Sequence, residues 1–159
     1  MKDIRFTKMH GTGNDFIVID CIEQNISERA ELARAMCQRR FAVGADQFIL
    51  ICSSDKADYL MEIYNPDGSQ VEMCGNALRA VALYVRHRRQ DSRELLNIET
   101  LGGLTKAVIK GDMVTVNMGQ PSFTPESIGL DSDEELINKN YSFSPRFSEV
   151  ITCVSIGNP

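Results

Sequence analysis

Alternating and continuous apolar runs along the chain predict most of its strands. Residues 58–64 alternate, with Tyr59, Met61 and Ile63 on one face, which predicts a strand leading into the turn that follows. Residues 48–52 are apolar almost without a break, which predicts a strand buried on both faces. Further strands are predicted at residues 4–9, 16–19, 95–100, 104–110, 113–118 and 149–156.

The connections between these strands are of two kinds. Gly111-Asp112 separates two alternating runs, so residues 104–110 and 113–118 are predicted to form a hairpin. Residues 10–15 contain two glycines and are predicted to be an irregular loop. This loop is not a dinucleotide-binding fingerprint, because Phe16 stands where the third glycine is required and no helical pattern follows.

Two helices are predicted with some detail. Residues 76–88 are apolar almost all round, with Arg79 the one interruption before Arg86, so this helix must be enclosed on most sides. A second helix is predicted from Ser27, which can cap it, and it carries an apolar stripe before Arg39 and Arg40. Residues 132–135 fit a capping box and predict a further short helix.

Together these elements predict an α+β fold, with strands curled into a barrel-like sheet around one central apolar helix. Residues 1–119 form the first predicted domain. Residues 120–159 are predicted to be a linker and the start of a second domain, because residues 122–148 are polar and weakly periodic.

Composition narrows the functional classes. The chain has 159 residues, a formal net charge of -5 and a pI near 5.1, which argue against nucleic acid as the main partner. No apolar run is long enough to cross a bilayer. Five cysteines without a Cys-x-x-Cys pair, and no signal peptide at the start, predict a cytoplasmic protein. The two histidines lie far apart, so no metal site is predicted.

Candidate chemistry is concentrated at Cys74, which follows a turn at residues 65–68 and precedes the apolar helix. A thiol at a helix N-terminus lies among unpaired backbone N–H groups at the positive end of the helix dipole, which favours the thiolate. Gly75 allows a ligand to approach the backbone, where the same N–H groups can hold a carboxylate or phosphate. The alternative is a buried structural cysteine, which is the interpretation preferred for Cys21, Cys37, Cys52 and Cys153.

Three amides have open interpretations on sequence grounds alone. Asn14 and Asn65 lie in predicted turns, where asparagine is common for backbone reasons. Gln47 stands at a junction between loop and strand, where it could point into a cleft or be a hydrogen-bonded core amide.

Several separated motifs occur in the order typical of one family. These are residues 8–16 (Lys-Met-His-Gly-Thr-Gly-Asn-Asp-Phe), 43–47 (Val-Gly-Ala-Asp-Gln), 65–69 (Asn-Pro-Asp-Gly-Ser), 73–76 (Met-Cys-Gly-Asn) and 157–159 (Gly-Asn-Pro). On these motifs the chain closely resembles the diaminopimelate epimerase family. Ala42 and Ala77 depart from it, since glycine is often expected at both positions.

The resemblance implies an epimerase that needs no cofactor and interconverts LL- and meso-2,6-diaminopimelate, for lysine and peptidoglycan synthesis. Two cysteines on opposite faces of the α-carbon act as base and acid, and Cys74 matches the first of them. The resemblance further implies a homodimer and substrate binding by a set of six residues. These are Asn14, Gln47, Asn65, Gly75, Asn76 and Asn158.

The family supplies its second cysteine, with a glutamate and an arginine, from a half that follows the Gly-Asn-Pro motif. The resemblance therefore predicts that these 159 residues are an N-terminal portion that is inactive alone. Three alternatives remain: another isomerase of the proline racemase or phenazine-biosynthesis type, a non-catalytic binding or folding module, and a thiol hydrolase. The hydrolase would need a histidine base near Cys74, for which His10 is the candidate.

Overall fold

A computed structural model describes residues 3–156 of the chain. The chain divides into two compact units, with the boundary between Asn117 and Met118. Asn158, one of the six predicted substrate-binding residues, lies outside the described residues together with its two neighbours. Within the described range, no helix is both long and apolar enough to cross a membrane.

The first unit is built on an eight-stranded mixed sheet. Its strands are β1 (Thr7–Gly11), β2 (Asn14–Asp20), β3 (Gln47–Cys52), β4 (Tyr59–Tyr64), β5 (Gln70–Val71), β6 (Leu95–Thr100), β7 (Gly103–Lys110) and β8 (Met113–Val116). The order is β1-β2-β3-β4-β6-β7-β8, and β5 pairs with β4. The pairs β2–β3 and β4–β6 are parallel, and the other pairs are antiparallel.

The sheet curls around helix α2 (Gly75–Arg88), which confirms the predicted central helix. Ala77, Leu78, Val81 and Val85 of α2 are fully buried, as an almost wholly apolar helix requires. They share one apolar core with residues from both ends of the sheet. The predicted α+β fold, with strands wrapped around one helix, is therefore confirmed.

The opposite face of the sheet is covered in part by helix α1 (Arg29–Met36). Ile17, Phe48 and Leu50 contribute to this second apolar cluster, with Ala33 of α1. Because β3 contributes alternate residues to both clusters, it is buried on both faces, as its continuous apolar sequence predicted. The predicted hairpin also forms, with Lys110 opposite Met113 across Gly111-Asp112.

The predicted irregular loop at residues 10–15 is wrong. β1 runs to Gly11 and β2 starts at Asn14, so only Thr12 and Gly13 make the turn. Both have positive φ, 51° for Thr12 and 90° for Gly13. A two-residue turn of this kind matches the right-handed twist of the paired strands, which is why the strands continue to its edges.

The predicted start and end of the first helix are also wrong. The residue preceding α1 is Glu28, with a left-handed backbone and no side-chain cap, rather than Ser27. The helix ends at Met36, and Arg39 lies beyond it, where it pairs with Asp15 and Asp46. Arg39 therefore pairs with carboxylates outside the helix, rather than with the end of the helix as the sequence pattern predicted.

The second unit contains helix α3 (Pro125–Ile128) and the antiparallel strands β9 (Lys139–Ser144) and β10 (Phe147–Ile151). Strand β9 was not predicted, because the segment around it is polar and weakly periodic. Tyr141 and Phe143 do alternate with serines along it, but the strand is exposed on both faces. The predicted helix at residues 132–135 is absent from the described chain, and Ser132 Oγ instead accepts the Glu134 N–H in a turn. The predicted last strand ends early, at Ile151.

Candidate active site

Cys74 lies at the junction where the chain leaves the sheet and enters α2. It occupies the N-cap position, directly before the first residue of α2, and its backbone is extended. Only 8% of the residue is exposed. Its side chain makes no capping hydrogen bond. The first hydrogen bond of the helix runs from Leu78 N to Cys74 O, so within the described chain the N–H groups of Gly75 and Asn76 have no acceptor.

The β1–β2 hairpin brings Asn14 to the sulfur of Cys74. Asn14 Nδ2 donates to Cys74 Sγ at 3.8 Å. The end of the same hairpin lies close to Asn76, since a Cβ on Gly11 would be 3.3 Å from the Asn76 carbonyl oxygen. The structure therefore joins two predicted site residues that are 60 positions apart. Gly11 lets the hairpin lie close to Asn76, because a Cβ at this position would make a tight contact with the Asn76 backbone.

Asn76 is the second residue of α2, and the oxygen of its side-chain amide is hydrogen-bonded. Asn76 Oδ1 accepts hydrogen bonds from the Arg79 guanidinium and from Thr12 Oγ1, the latter at 3.3 Å. The first turn of α2 contains no acidic residue. The helix start and Arg79 thus give this end of α2 a positive potential that suits a carboxylate ligand.

Gln47 begins β3 beside the start of β2, where it is opposite Phe16 in the parallel register. Its Oε1 is buried and has no hydrogen-bond partner among the described residues. Buried polar atoms are almost always hydrogen-bonded, so an unpartnered oxygen makes Gln47 a candidate for binding a ligand. Of the two interpretations open on sequence grounds, the hydrogen-bonded core amide is not what the structure has.

A network of charged residues holds Asn14 and Gln47 in place, and the sequence did not predict it. Asp15 N donates to Asp46 Oδ2 at 3.0 Å, and Asp46 N donates to Asp15 Oδ1 at 2.9 Å. Arg39 binds both carboxylates, and Lys8 Nζ lies 2.7 Å from Asp15 Oδ2. The Arg39 guanidinium, with Lys8 and the Asp46 N–H, holds the pKa of Asp15 well below its usual range.

Asp15 directly follows Asn14, and Asp46 directly precedes Gln47. The hydrogen bonds between Asp15 and Asp46 therefore join the starts of β2 and β3, which carry the two amides. The adjacency of an acid to an amide in both motifs was the only sequence signal for this arrangement.

Asn65 has the contacts of a turn former. Its Nδ2 donates to Ser69 Oγ at 3.0 Å, and its backbone closes the same turn with Ser69 and Gly68. Within the described residues, no hydrogen bond connects it to Cys74. Its predicted role in binding stays a prediction that rests on the family resemblance.

The other cysteines differ in exposure. Cys37 and Cys52 are buried, as predicted for structural cysteines, whereas Cys21 and Cys153 are partly exposed. Contact with the Cys52 thiol, together with burial, raises the pKa of Cys21, and burial raises the pKa of Cys37. Neither environment stabilises a thiolate at neutral pH.

The structure gives little support to a hydrolase. His10 is exposed on β1, and no hydrogen bond connects it to Cys74 in the described part of the chain. The polar group facing the sulfur is an amide, which cannot act as a general base. Among residues 3–156, no three His, Cys, Asp or Glu side chains are grouped as a metal site requires.

Comparison with known proteins places this chain in a family. The family model described as diaminopimelate epimerase matches residues 6–124. The chain belongs to the diaminopimelate epimerase family. The predicted resemblance is confirmed by relatives named diaminopimelate epimerase: one from Carboxydothermus hydrogenoformans is 43% identical, and one from Acetivibrio thermocellus is 40% identical.

Each of these two alignments covers 98% of the chain and 58% of the relative. The chain thus spans little more than half the length of these diaminopimelate epimerases. A solved structure of a hydroxyproline epimerase from Agrobacterium vitis, with bound trans-4-hydroxy-L-proline, has the same fold, with a TM-score of 0.63 and 13% identity. That match covers 95% of the chain and 48% of the hydroxyproline epimerase.

Proposed function

We propose that this chain provides one half of the active site of a diaminopimelate epimerase that interconverts LL- and meso-2,6-diaminopimelate. The observation that carries the proposal is the arrangement at the start of α2. Cys74 Sγ faces the Asn14 amide, and unpartnered N–H groups of Gly75 and Asn76 lie beside it. The family to which the chain belongs supports the choice of substrate.

The difficulty of the proposed reaction explains why such a site is suitable. The α-proton of an amino acid is very weakly acidic, and here no cofactor spreads the negative charge that its removal leaves. The site must therefore hold the carboxylate on fixed donors and place the sulfur against the α-carbon. In the proposed step, the Cys74 thiolate takes the α-proton, and the electron pair remains on the α-carbon and its carboxylate.

The stereocentre is inverted when a second thiol returns a proton to the opposite face. We propose that this second cysteine belongs to sequence that the chain does not contain, which agrees with its coverage of 58% of the relatives. We further propose that Asn14 and Gln47 orient the substrate, and that Asn65 and Asn158 bind it as the family resemblance implies. We also propose that the complete enzyme is a cytoplasmic homodimer that acts in the synthesis of lysine and peptidoglycan precursors.

A full-length protein, meaning this chain together with the second half that we propose, allows a direct test. Exchange of the α-hydrogen of diaminopimelate with deuterium from D2O, followed by proton NMR, measures proton abstraction without requiring product analysis. We expect Cys74→Ser to lower the exchange rate at least about 100-fold, the scale of a lost general acid–base group. Cys21→Ser is the matched control and should leave the rate within about twofold.

Two results would oppose the proposal. Exchange that survives Cys74→Ser would show that another group removes the proton. A full-length protein that binds diaminopimelate in calorimetry but neither exchanges nor epimerises it would favour the alternative of a non-catalytic binding module.

A further inference from the structure

Arg79 is the one charged residue between the start of α2 and Arg86, and the other residues of positions 77–83 are all apolar. Its guanidinium donates to Asn76 Oδ1. Within residues 3–156, no carboxylate lies at ion-pair distance from it. A cation in this half of a helix gains nothing from the helix dipole, which favours cations at the C-terminus. Helix stability therefore does not explain an arginine here.

The contact with Arg79 has a specific consequence for the carboxamide of Asn76. Its oxygen has two lone pairs, and the Arg79 guanidinium and Thr12 Oγ1 occupy them. Its nitrogen has no acceptor within the described residues, so both of its N–H groups are available. Arg79, which can only donate, determines which way round the carboxamide lies, and Thr12 adds a second contact that holds it there.

In the observed orientation the NH2 group of Asn76 can donate to an anion, whereas the alternative orientation of the carboxamide would repel one. The oxygen and the NH2 group have nearly the same size, so a half-turn about the last side-chain bond leaves packing unchanged. After that rotation, the lone pairs of Oδ1 would face a substrate carboxylate and repel it. The hydrogen bond from Arg79 distinguishes the two orientations, because a guanidinium can only donate, whereas the Thr12 hydroxyl could instead accept from an NH2 group.

We propose that Arg79 is a positioning residue that, together with Thr12, holds the Asn76 carboxamide so that its NH2 group donates to the substrate carboxylate beside Cys74. The role of this donor rests on the proposed function. The orientation of the carboxamide does not, because it follows from contacts within the chain.

The first test needs no activity and uses the 159-residue chain. In 15N-labelled protein, the heteronuclear NOE of the Asn76 side-chain NH2 reports how rigidly the carboxamide is held. Arg79→Met should lower this NOE clearly, and Arg79→Lys, which keeps a cationic donor, should lower it less. Arg88→Met is the matched control, since Arg88 is exposed in the last turn of the same helix, and it should have no effect.

An Asn76 NOE that is the same in wild type and Arg79→Met would overturn the proposal. If Arg79→Met does not give the dispersed spectrum of a folded protein, Thr12→Ala removes the other donor and serves instead. A partial fall of the NOE is then expected, and an unchanged value would contradict the proposal.

The second test uses the full-length protein and diaminopimelate. Loss of one charge-assisted hydrogen bond that fixes a substrate donor should lower kcat/KM about 10-fold in Arg79→Met. Arg79→Lys should recover part of this loss, and Arg88→Met should stay within about twofold. An active wild type with undiminished kcat/KM in Arg79→Met would refute the positioning role. An inactive wild type would instead count against the proposed function and leave the NMR result standing.

Discussion

Asp15 is the residue on which the hydrogen bonds around Asn14 and Gln47 converge. It accepts from Arg39, from Lys8 and from the backbone of Asp46, and 22% of its side chain is exposed. Each of these bonds involves a charged group, so losing the carboxylate should cost more than losing a neutral hydrogen bond. Asp15 follows Asn14, which contacts Cys74, and it is hydrogen-bonded to the residue before Gln47. It therefore has a structural role in the site.

We expect Asp15→Asn to lower the free energy of unfolding by about 2 kcal/mol at pH 7. The pKa of Asp15 is lowered in the folded chain, so its ionised form stabilises the fold above the ordinary aspartate pKa of about 4. That contribution is lost as the pH falls below this value, so the difference between wild type and variant should shrink at pH 3. Urea titrations at both pH values measure it.

Asp112→Asn is the control for this prediction, because 93% of the Asp112 side chain is exposed. It should change stability by no more than about 0.5 kcal/mol. An effect of Asp15→Asn that was as small as this, or that was independent of pH, would contradict the account of the network.

Helix α2 is the element that determines both the core and the site. Leu78 is fully buried one turn after Cys74, where the first hydrogen bond of the helix ends. Leu78→Ala should lower the free energy of unfolding by about 3 kcal/mol, through lost apolar contact and a residual cavity. Leu104→Ala, at a position 65% exposed, should cost less than about 0.5 kcal/mol. Equal denaturation midpoints for the two variants would show that α2 is not the centre of the core.

Elements with a buried face were the more predictable from the sequence, whereas the exposed strand β9 was missed. Helix α2, strand β3 and the β7–β8 hairpin follow from apolar periodicity, because each buries a regular set of side chains. Strand β9 has no buried face, and the tight turn at Thr12-Gly13 depends on two positive φ values that a glycine-rich sequence does not specify. Local pattern carries no information about pairing between exposed strands.

The candidate site was predictable to a similar extent. The position of Cys74 at a helix start follows from local sequence, since a turn precedes it and an apolar helix follows. The hydrogen bond from Asn14 and the network of Asp15, Arg39 and Asp46 join residues that are far apart in the chain. Such contacts depend on strand pairing, and without a family resemblance no local rule identifies them.

At the scale of the whole molecule, the second unit has an exposed apolar surface. Tyr141, Phe143 and Phe147 of the β9–β10 hairpin are each about half exposed and contact one another through their rings. Exposed aromatic clusters on a two-stranded sheet are prone to associate. The chain spans 58% of the length of its relative from Acetivibrio thermocellus.

We therefore expect the 159-residue chain to self-associate with increasing concentration in light scattering. The double variant Phe143→Ser, Phe147→Ser should reduce this association. Phe41→Ser, at a loop position in the first unit that is 88% exposed, is the matched control and should not. A wild-type chain that stayed monomeric at high concentration would refute this expectation.

We propose that this chain holds one of two opposed acid–base sulfurs and the donors beside it. The most direct test compares α-hydrogen exchange of diaminopimelate in D2O by the 159-residue chain and by the full-length protein. We predict no exchange above background with the chain alone, rapid exchange with the full-length protein, and loss of that exchange in Cys74→Ser. Exchange at an enzymatic rate by the chain alone, or by the full-length Cys74→Ser variant, would contradict the claim.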